Sequence, residues 1–303
     1  MLTSEADGSL RQQLAEHPVL IDGGLATTLE LLGHDISGDL WSARLLLDEP
    51  SAIVAAHTAF FAAGAEVATT ASYQATFDGF ATHGIDRQRT AELMRKSVEL
   101  AREAADQVTG RRTWVAASIG PYGAMLADGS EYHGQYGLSV GQLREFHRPR
   151  IEVLAAAGAD LLAFETLPCA AEVEAVLTEI DEGGIECWVS VSIDGMLTRA
   201  GEPLDDVFAM AADVSSVVAL GVNCSTPSAA TAAVGVAART GKPVVIYPNS
   251  GEGWDAVNRK WVAADSDPHF PVERWIAEGA RLVGGCCRVT PADISAMAVQ
   301  LDQ

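Results

Sequence analysis

The sequence is short of positive charge: 20 Lys and Arg stand against 41 Asp and Glu, for a formal net charge of -21. A surface of that sign repels polyanions, which argues against nucleic acid and anionic membranes as partners. Cysteine is scarce, with five in 303 residues. No apolar signal segment opens the sequence, so the thiols fit a reducing cytoplasm better than a disulfide scaffold. The seven histidines show no metal-ligand spacing. In particular, no His-x-His closes the first apolar run, which speaks against a histidine-based barrel hydrolase. No apolar run approaches the roughly 20 residues that a membrane span requires. Residues 1–17 are polar and read as peripheral. Together these absences lead to the expectation of a soluble, cytoplasmic protein.

What is present is a large apolar fraction, 48% of the chain, arranged in short runs. Eight of them recur, at 19–22, 66–70, 114–119, 161–165, 187–192, 217–222, 243–247 and 281–285. Near-continuous apolarity marks strands covered on both faces, as in a parallel sheet wrapped by helices. Helix signals fall between them. Pro50 and Thr290-Pro291 suit helix starts, and Gly64, Gly158 and Gly279 suit left-handed helix ends. Strand–helix units repeated in this way predict an α/β protein, a (β/α)8 TIM barrel forming one domain over residues 1–303. Pro149 interrupts the helical pattern at 139–157, where a kink or break is expected. Long connections at 120–138 and 248–271 follow the third and seventh strands, on the face where such barrels keep their active sites.

The polar residues that end these runs carry the chemistry. Asp22-Gly23-Gly24 ends the first, Glu165 the fourth, Asn223-Cys224 the sixth, and Gly284-Gly285-Cys286-Cys287 the eighth. Neighbouring side chains on an extended strand point to opposite faces. Cys286 and Cys287 therefore need a bend to share a target, which the two preceding glycines are suited to supply. An adjacent cysteine pair is also compatible with a vicinal disulfide or plain packing. With Cys224 on the same rim, the three thiols can instead hold a soft metal such as zinc, leaving one open coordination position. Asp22 and Glu165 can hold an ammonium, while the backbone N–H groups of Gly23 and Gly24 hold a carboxylate, a pattern suited to an α-amino acid. Either carboxylate alone is equally suited to capping a helix. Cys169 and Cys187 read as packing.

Asp22-Gly23-Gly24, Gly221-Val222-Asn223-Cys224 and Gly284-Gly285-Cys286-Cys287-Arg288 resemble the motifs of the homocysteine S-methyltransferase family. The loops 118–123, 128–132 and 247–252 are similar to those of its S-methylmethionine-using branch. The resemblance implies Zn2+ bound by Cys224, Cys286 and Cys287, with small-molecule partners: L-homocysteine and a sulfonium methyl donor, S-methylmethionine or S-adenosylmethionine. It also implies substrate contacts from Asp22, Gly23, Gly24, Glu165 and Asn223. Aromatic faces from Trp41, Tyr73, Phe77, Tyr122 or Tyr247 are candidates to cradle the sulfonium. The competing reading of the same cysteines is a thiol-based zinc store or redox sensor. The paired carboxylates argue against it, since a store has no use for an amino-acid pocket.

Overall fold

The computed structural model describes residues 8–36, 42–255, 260–262 and 269–301. Among them, eight parallel strands form one sheet. They are β1 Val19–Leu20, β2 Val67–Thr69, β3 Trp114–Ile119, β4 Leu161–Leu167, β5 Cys187–Val191, β6 Val217–Asn223, β7 Val244–Tyr247 and β8 Ala280–Val283. Each overlaps one of the apolar runs, with β4, β6 and β8 extending one or two residues beyond it. Their order is β1-β8-β7-β6-β5-β4-β3-β2. The ends of that order meet: Ile21 bridges Val67, the Glu66 N–H donates to the Leu20 carbonyl at 2.7 Å, and the Asp22 N–H donates to the Val67 carbonyl at 3.0 Å. The sheet is thus a closed ring, the (β/α)8 barrel that the repeated units predict.

Alternation along the strands sorts side chains into two layers. Val19, Ile21, Val67, Trp114, Leu161, Trp188, Val245 and Leu282 fill the lumen. Leu20, Val115, Leu162, Val189, Leu220 and Ile246 belong to the layer shared with the surrounding helices. Continuing the lumen positions toward the strand C-termini gives Ser118, Glu165, Ser190, Asn223 and Tyr247, all buried. The apolar core is therefore topped by a polar layer, which forms the floor of the mouth.

The local signals behave as their chemistry requires. Pro50 is the first residue of the helix Pro50–Ala62. Gly64, Gly158 and Gly279 take left-handed backbone angles at helix ends. Thr290 and Asp293 exchange side-chain and backbone hydrogen bonds at the start of the last helix. Pro149, in contrast, sits inside one continuous helix, Val140–Ala155. Contacts on both sides of the proline outweigh the lost backbone bond: the Arg150 guanidinium donates to the Gly120 carbonyl and lies 3.0 Å from His147 Nδ1, and His147 Nε2 lies 2.7 Å from Glu172.

Residues 1–17 are not wholly peripheral either. Leu10 and Leu14, on the helix Leu10–Glu16, are buried in the lumen cluster and stopper the N-terminal end of the barrel. Two antiparallel ribbons also escape the strand pattern, Ile193–Asp194 with Leu197–Thr198 and Gly253–Asp255 with Lys260–Val262. Trp41 and part of the long connection after β7, at 256–259 and 263–268, lie outside the described residues. Among the described residues, no helix is long and apolar enough to cross a membrane.

Candidate active site

Cys224 immediately follows β6 and takes a left-handed φ of 45°. Such angles crowd the Cβ of any residue but glycine and cost about 1–2 kcal/mol. The strain is held by neighbours, among them the Tyr247 carbonyl, which accepts from the Cys224 N–H at 3.3 Å. Beyond β8 the chain makes a tight turn closed by the Val289 N–H and the Cys286 carbonyl at 3.1 Å, with Arg288 at φ 66°. Arg288 takes the left-handed position of this turn, which folds the chain back after the two cysteines, whereas neither Gly284 nor Gly285 is among the residues with positive φ. Those glycines are needed for room instead. A Cβ on Gly285 would lie 2.1 Å from the Val289 side chain, and one on Gly284 would lie 2.8 Å from the Asp22 carbonyl oxygen.

The chain following β7 fixes this turn. The Pro248 carbonyl accepts from the Cys286 N–H at 2.8 Å, Asn249 Oδ1 accepts from the Cys287 N–H at 3.1 Å, and the Ser250 N–H donates to the Cys287 carbonyl at 3.1 Å. Arg288 is tied down by Glu252 and, at 3.7 Å, by Glu30. As a result the three sulfurs lie within 4.8 Å of one another. Cys224 and Cys286 are joined as a disulfide, and Cys287 Sγ lies 4.0 Å from Cys224 Sγ. The bond therefore links two strand ends and is not vicinal. Burial, reinforced by the charges of Glu131 and Glu165, pushes the Cys287 thiol up to about 12. Cys169 and Cys187 are buried apart from this cluster, and burial raises both of their thiols.

The donor set suits a soft metal. Tetrahedral thiolate coordination with zinc–sulfur bonds of about 2.3 Å sets sulfurs about 3.8 Å apart. The 4.0 Å between Cys224 and Cys287 already matches that spacing, and reduction of the Cys224–Cys286 bond frees both of its sulfurs to join Cys287.

Asp22 and Glu165 lie at the same mouth, and both are buried. Asp22 accepts from the Thr69 N–H and hydroxyl, each at 2.8 Å. Burial nevertheless raises its carboxyl well above the usual range, and the charge of Glu165 adds to the shift. Glu165 accepts from the Ser118 hydroxyl, and burial lifts its carboxyl to about 7 against hydrogen bonds from Ser118 and Tyr247. Both carboxyls are thus raised mainly by burial, Asp22 also feels the charge of Glu165, and neither has a cationic side chain acting on it among the described residues, a setting suited to an ammonium ligand. His57 Nδ1 stands 4.0 Å from Asp22 Oδ2 with both ring nitrogens unpartnered, and burial lowers its pKa to about 4, so it offers no charge.

The glycine pair behind Asp22 divides its duties. Gly24 donates its N–H to the Val289 carbonyl at 2.9 Å and lets the Cys286 carbonyl approach within 2.7 Å of where a Cβ would stand. Of the two glycine amides, that of Gly23 is the one without a partner among the described residues. Asn223 is fully buried. Its Oδ1 accepts from the Thr166 N–H at 2.8 Å and the Ser190 hydroxyl at 3.0 Å, while its Nδ2 donates to Thr166 Oγ1 and lies 4.0 Å from Cys286 Sγ.

The aromatic candidates separate as well. Phe77 stacks under Arg87, Tyr122 packs edge-on against Tyr136 and Phe146, and Tyr247 is bonded into the polar layer by Ser190 and Trp188. Asn249 and Glu131 lie in the loops 247–252 and 128–132 that carry the resemblance, but sequence reasoning assigned no role at the site to either of them, or to Thr69. Glu131 carried one available signal, a carboxylate inside a glycine- and tyrosine-rich loop over the mouth.

A parallel barrel that gathers three thiols able to hold a metal beside two buried carboxylates has the architecture of a (β/α)8 enzyme with a candidate metal site at its mouth. The homocysteine S-methyltransferase family model matches residues 19–301. The homocysteine S-methyltransferase of Escherichia coli K12 is 46% identical over 294 residues, covering 92% of this chain and 94% of its own. The selenocysteine Se-methyltransferase of Brassica oleracea var. italica is 42% identical over 305 residues, covering 93% and 88%. The metallated crystal structure of the E. coli homocysteine methyltransferase MmuM superposes with a TM-score of 0.85 at 43% identity, covering 96% of this chain and 99% of that one. The chain belongs to the homocysteine S-methyltransferase family, and its activity is methyl transfer to homocysteine.

Proposed function

We propose that the methyl donor is an amino-acid sulfonium, S-methylmethionine in the first place, and that the reaction is zinc-dependent, with Cys224, Cys286 and Cys287 as the ligands. The observation that carries this reading is the convergence of those three sulfurs within 4.8 Å, beside the buried Asp22 and Glu165. Zinc held there would supply the positive charge that keeps a substrate thiol ionised at neutral pH.

The chain's own residues do the rest. Asp22 and Glu165 take the homocysteine ammonium, and the Gly23 amide takes its carboxylate. Asn223 keeps Thr166 and Cys286 in register through its amide. The homocysteine thiolate attacks the methyl carbon in line. The carbon–sulfur bond of the sulfonium breaks, and its electron pair stays on the departing sulfur as a neutral thioether. No general acid is needed, so the protein contributes alignment of three atoms and exclusion of water. Opposite charges are neutralised along the path, which a dry, buried mouth favours over bulk solvent.

The test is a methyl-transfer assay on the reduced, zinc-loaded protein, with homocysteine as acceptor and S-methylmethionine, S-adenosylmethionine and betaine as alternative donors. Methionine should form fastest with S-methylmethionine. Preference for betaine, a quaternary ammonium, would overturn the sulfonium assignment.

A further inference from the structure

Two charged side chains at the mouth are left without a task by this reaction scheme. Glu131 lies on the 3-10 turn Ser130–Tyr132 in the loop after β3. It is 4% exposed, and its Oε2 has no hydrogen-bond partner. Its position is fixed from below, because a Cβ on Gly123 would lie 2.4 Å from the Glu131 nitrogen. The Ser130 N–H is also held by Asp128 at 2.9 Å. Glu131 stands close enough to Cys287, Tyr73 and Tyr132 for its charge to oppose their ionisation. Arg199, just past the ribbon that follows β5, sets its guanidinium carbon 5.7 Å from the Tyr132 ring centre. Its Nε is likewise buried without a partner. An opposite-charge pair thus brackets Tyr132, whose hydroxyl feels the Cys287 sulfur.

We propose that Glu131 and Arg199 clamp the amino-acid end of the methyl donor, Glu131 accepting from its α-ammonium and Arg199 pairing with its α-carboxylate. The proposal rests on the sulfonium reading above. A buried carboxylate oxygen without a donor is costly and is retained where a ligand completes it. A sulfonium carries no N–H or O–H and leaves Oε2 unsatisfied, whereas an ammonium brings three donors. Two amino acids must also meet sulfur to sulfur for an in-line transfer, so their charged ends point apart and one recognition pair cannot serve both. Asp22 and Glu165 serve the acceptor, and Glu131 with Arg199 serves the donor.

The experiment is calorimetric titration of S-methylmethionine into zinc-loaded wild type, Glu131→Gln and Arg199→Gln, with metal content and homocysteine affinity measured alongside. Each substitution should weaken S-methylmethionine roughly 10- to 100-fold and leave the other two quantities unchanged. (3-Carboxypropyl)dimethylsulfonium, which lacks the ammonium, should bind wild type and Glu131→Gln equally. (3-Aminopropyl)dimethylsulfonium, which lacks the carboxylate, should be indifferent to Arg199→Gln. Equal weakening of all three sulfoniums by either substitution, weakened homocysteine binding, or unchanged S-methylmethionine binding overturns the clamp. If the clamp pattern holds but no methyl reaches homocysteine, the functional reading falls and the clamp stands. If transfer proceeds and both variants bind as wild type, only the clamp falls.

Discussion

At the scale of single residues, the mouth concentrates groups that are uncomfortable without a ligand. Glu165 shows the consequence for stability. Its carboxyl titrates at about 7 in the folded chain against an ordinary value of 4.5, mainly through burial. A raised folded-state pKa means that the native state keeps a proton which the unfolded state has released. Stability from this group is therefore complete below about 4.5 and declines as pH rises through 7, by of order 3 kcal/mol at about 1.4 kcal/mol per unit. Glu165→Gln removes that decline, so urea unfolding of variant and wild type should diverge between pH 5 and pH 8, with the variant the more stable at pH 8. Parallel profiles would show that Glu165 is ionised in the fold. The thiols give a second prediction. On the proposed metal site, the reduced wild type should hold about one zinc per chain by elemental analysis, and Cys287→Ser, which removes one of three proposed ligands, should lose most of it. Full retention would leave Cys287 outside the metal site. The residue types at this site were legible from their positions at strand ends. What was not legible is who pairs with whom: that the Gly24 N–H donates to Val289, that Asn223 Oδ1 accepts from Thr166 and Ser190, and that the left-handed residue in the double-cysteine turn is Arg288. Those facts depend on neighbours more than 50 residues away in most cases, which no local pattern encodes.

At the scale of elements, every barrel strand was legible, because burial on both faces demands unbroken apolarity. The helix Leu10–Glu16 was not, since its two core residues, Leu10 and Leu14, are diluted by polar ones. Pro149 misled for the opposite reason: a strong local signal was overruled by Arg150 and His147, each anchored to other parts of the fold. The loop after β1 and the turn after β8 behave as one interlocked unit. Gly24 is the tooth of that lock, with the Cys286 carbonyl 2.7 Å from its missing Cβ. Gly24→Ala should push the double-cysteine turn outward, lowering stability by about 1–3 kcal/mol in denaturant unfolding. It should also weaken the metal in competition with a chelator, although no ligand has been altered. Unchanged metal affinity would mean that the two segments move independently.

At the scale of the whole molecule, the acidic surface and the barrel could both be read from composition and pattern, and the ring closure follows from the fold class. The closure has a consequence for the order of events in folding. The three thiols come from β6 and β8 with β7 between them, so a metal can be captured once the C-terminal third has assembled. Asp22 comes from the end of β1, and its junction with the last turn spans 261 residues, from the Arg288 N–H to the Thr27 hydroxyl. Contacts that distant form late, because the chain entropy lost in closing so long a loop must be offset by structure already made. In a refolding experiment with cobalt in place of zinc, thiolate–metal absorption should therefore return ahead of homocysteine binding. The enzyme would acquire its metal as an open sheet and its taste for amino acids only when the ring shuts; simultaneous recovery of both signals would mean that the barrel assembles in one cooperative step.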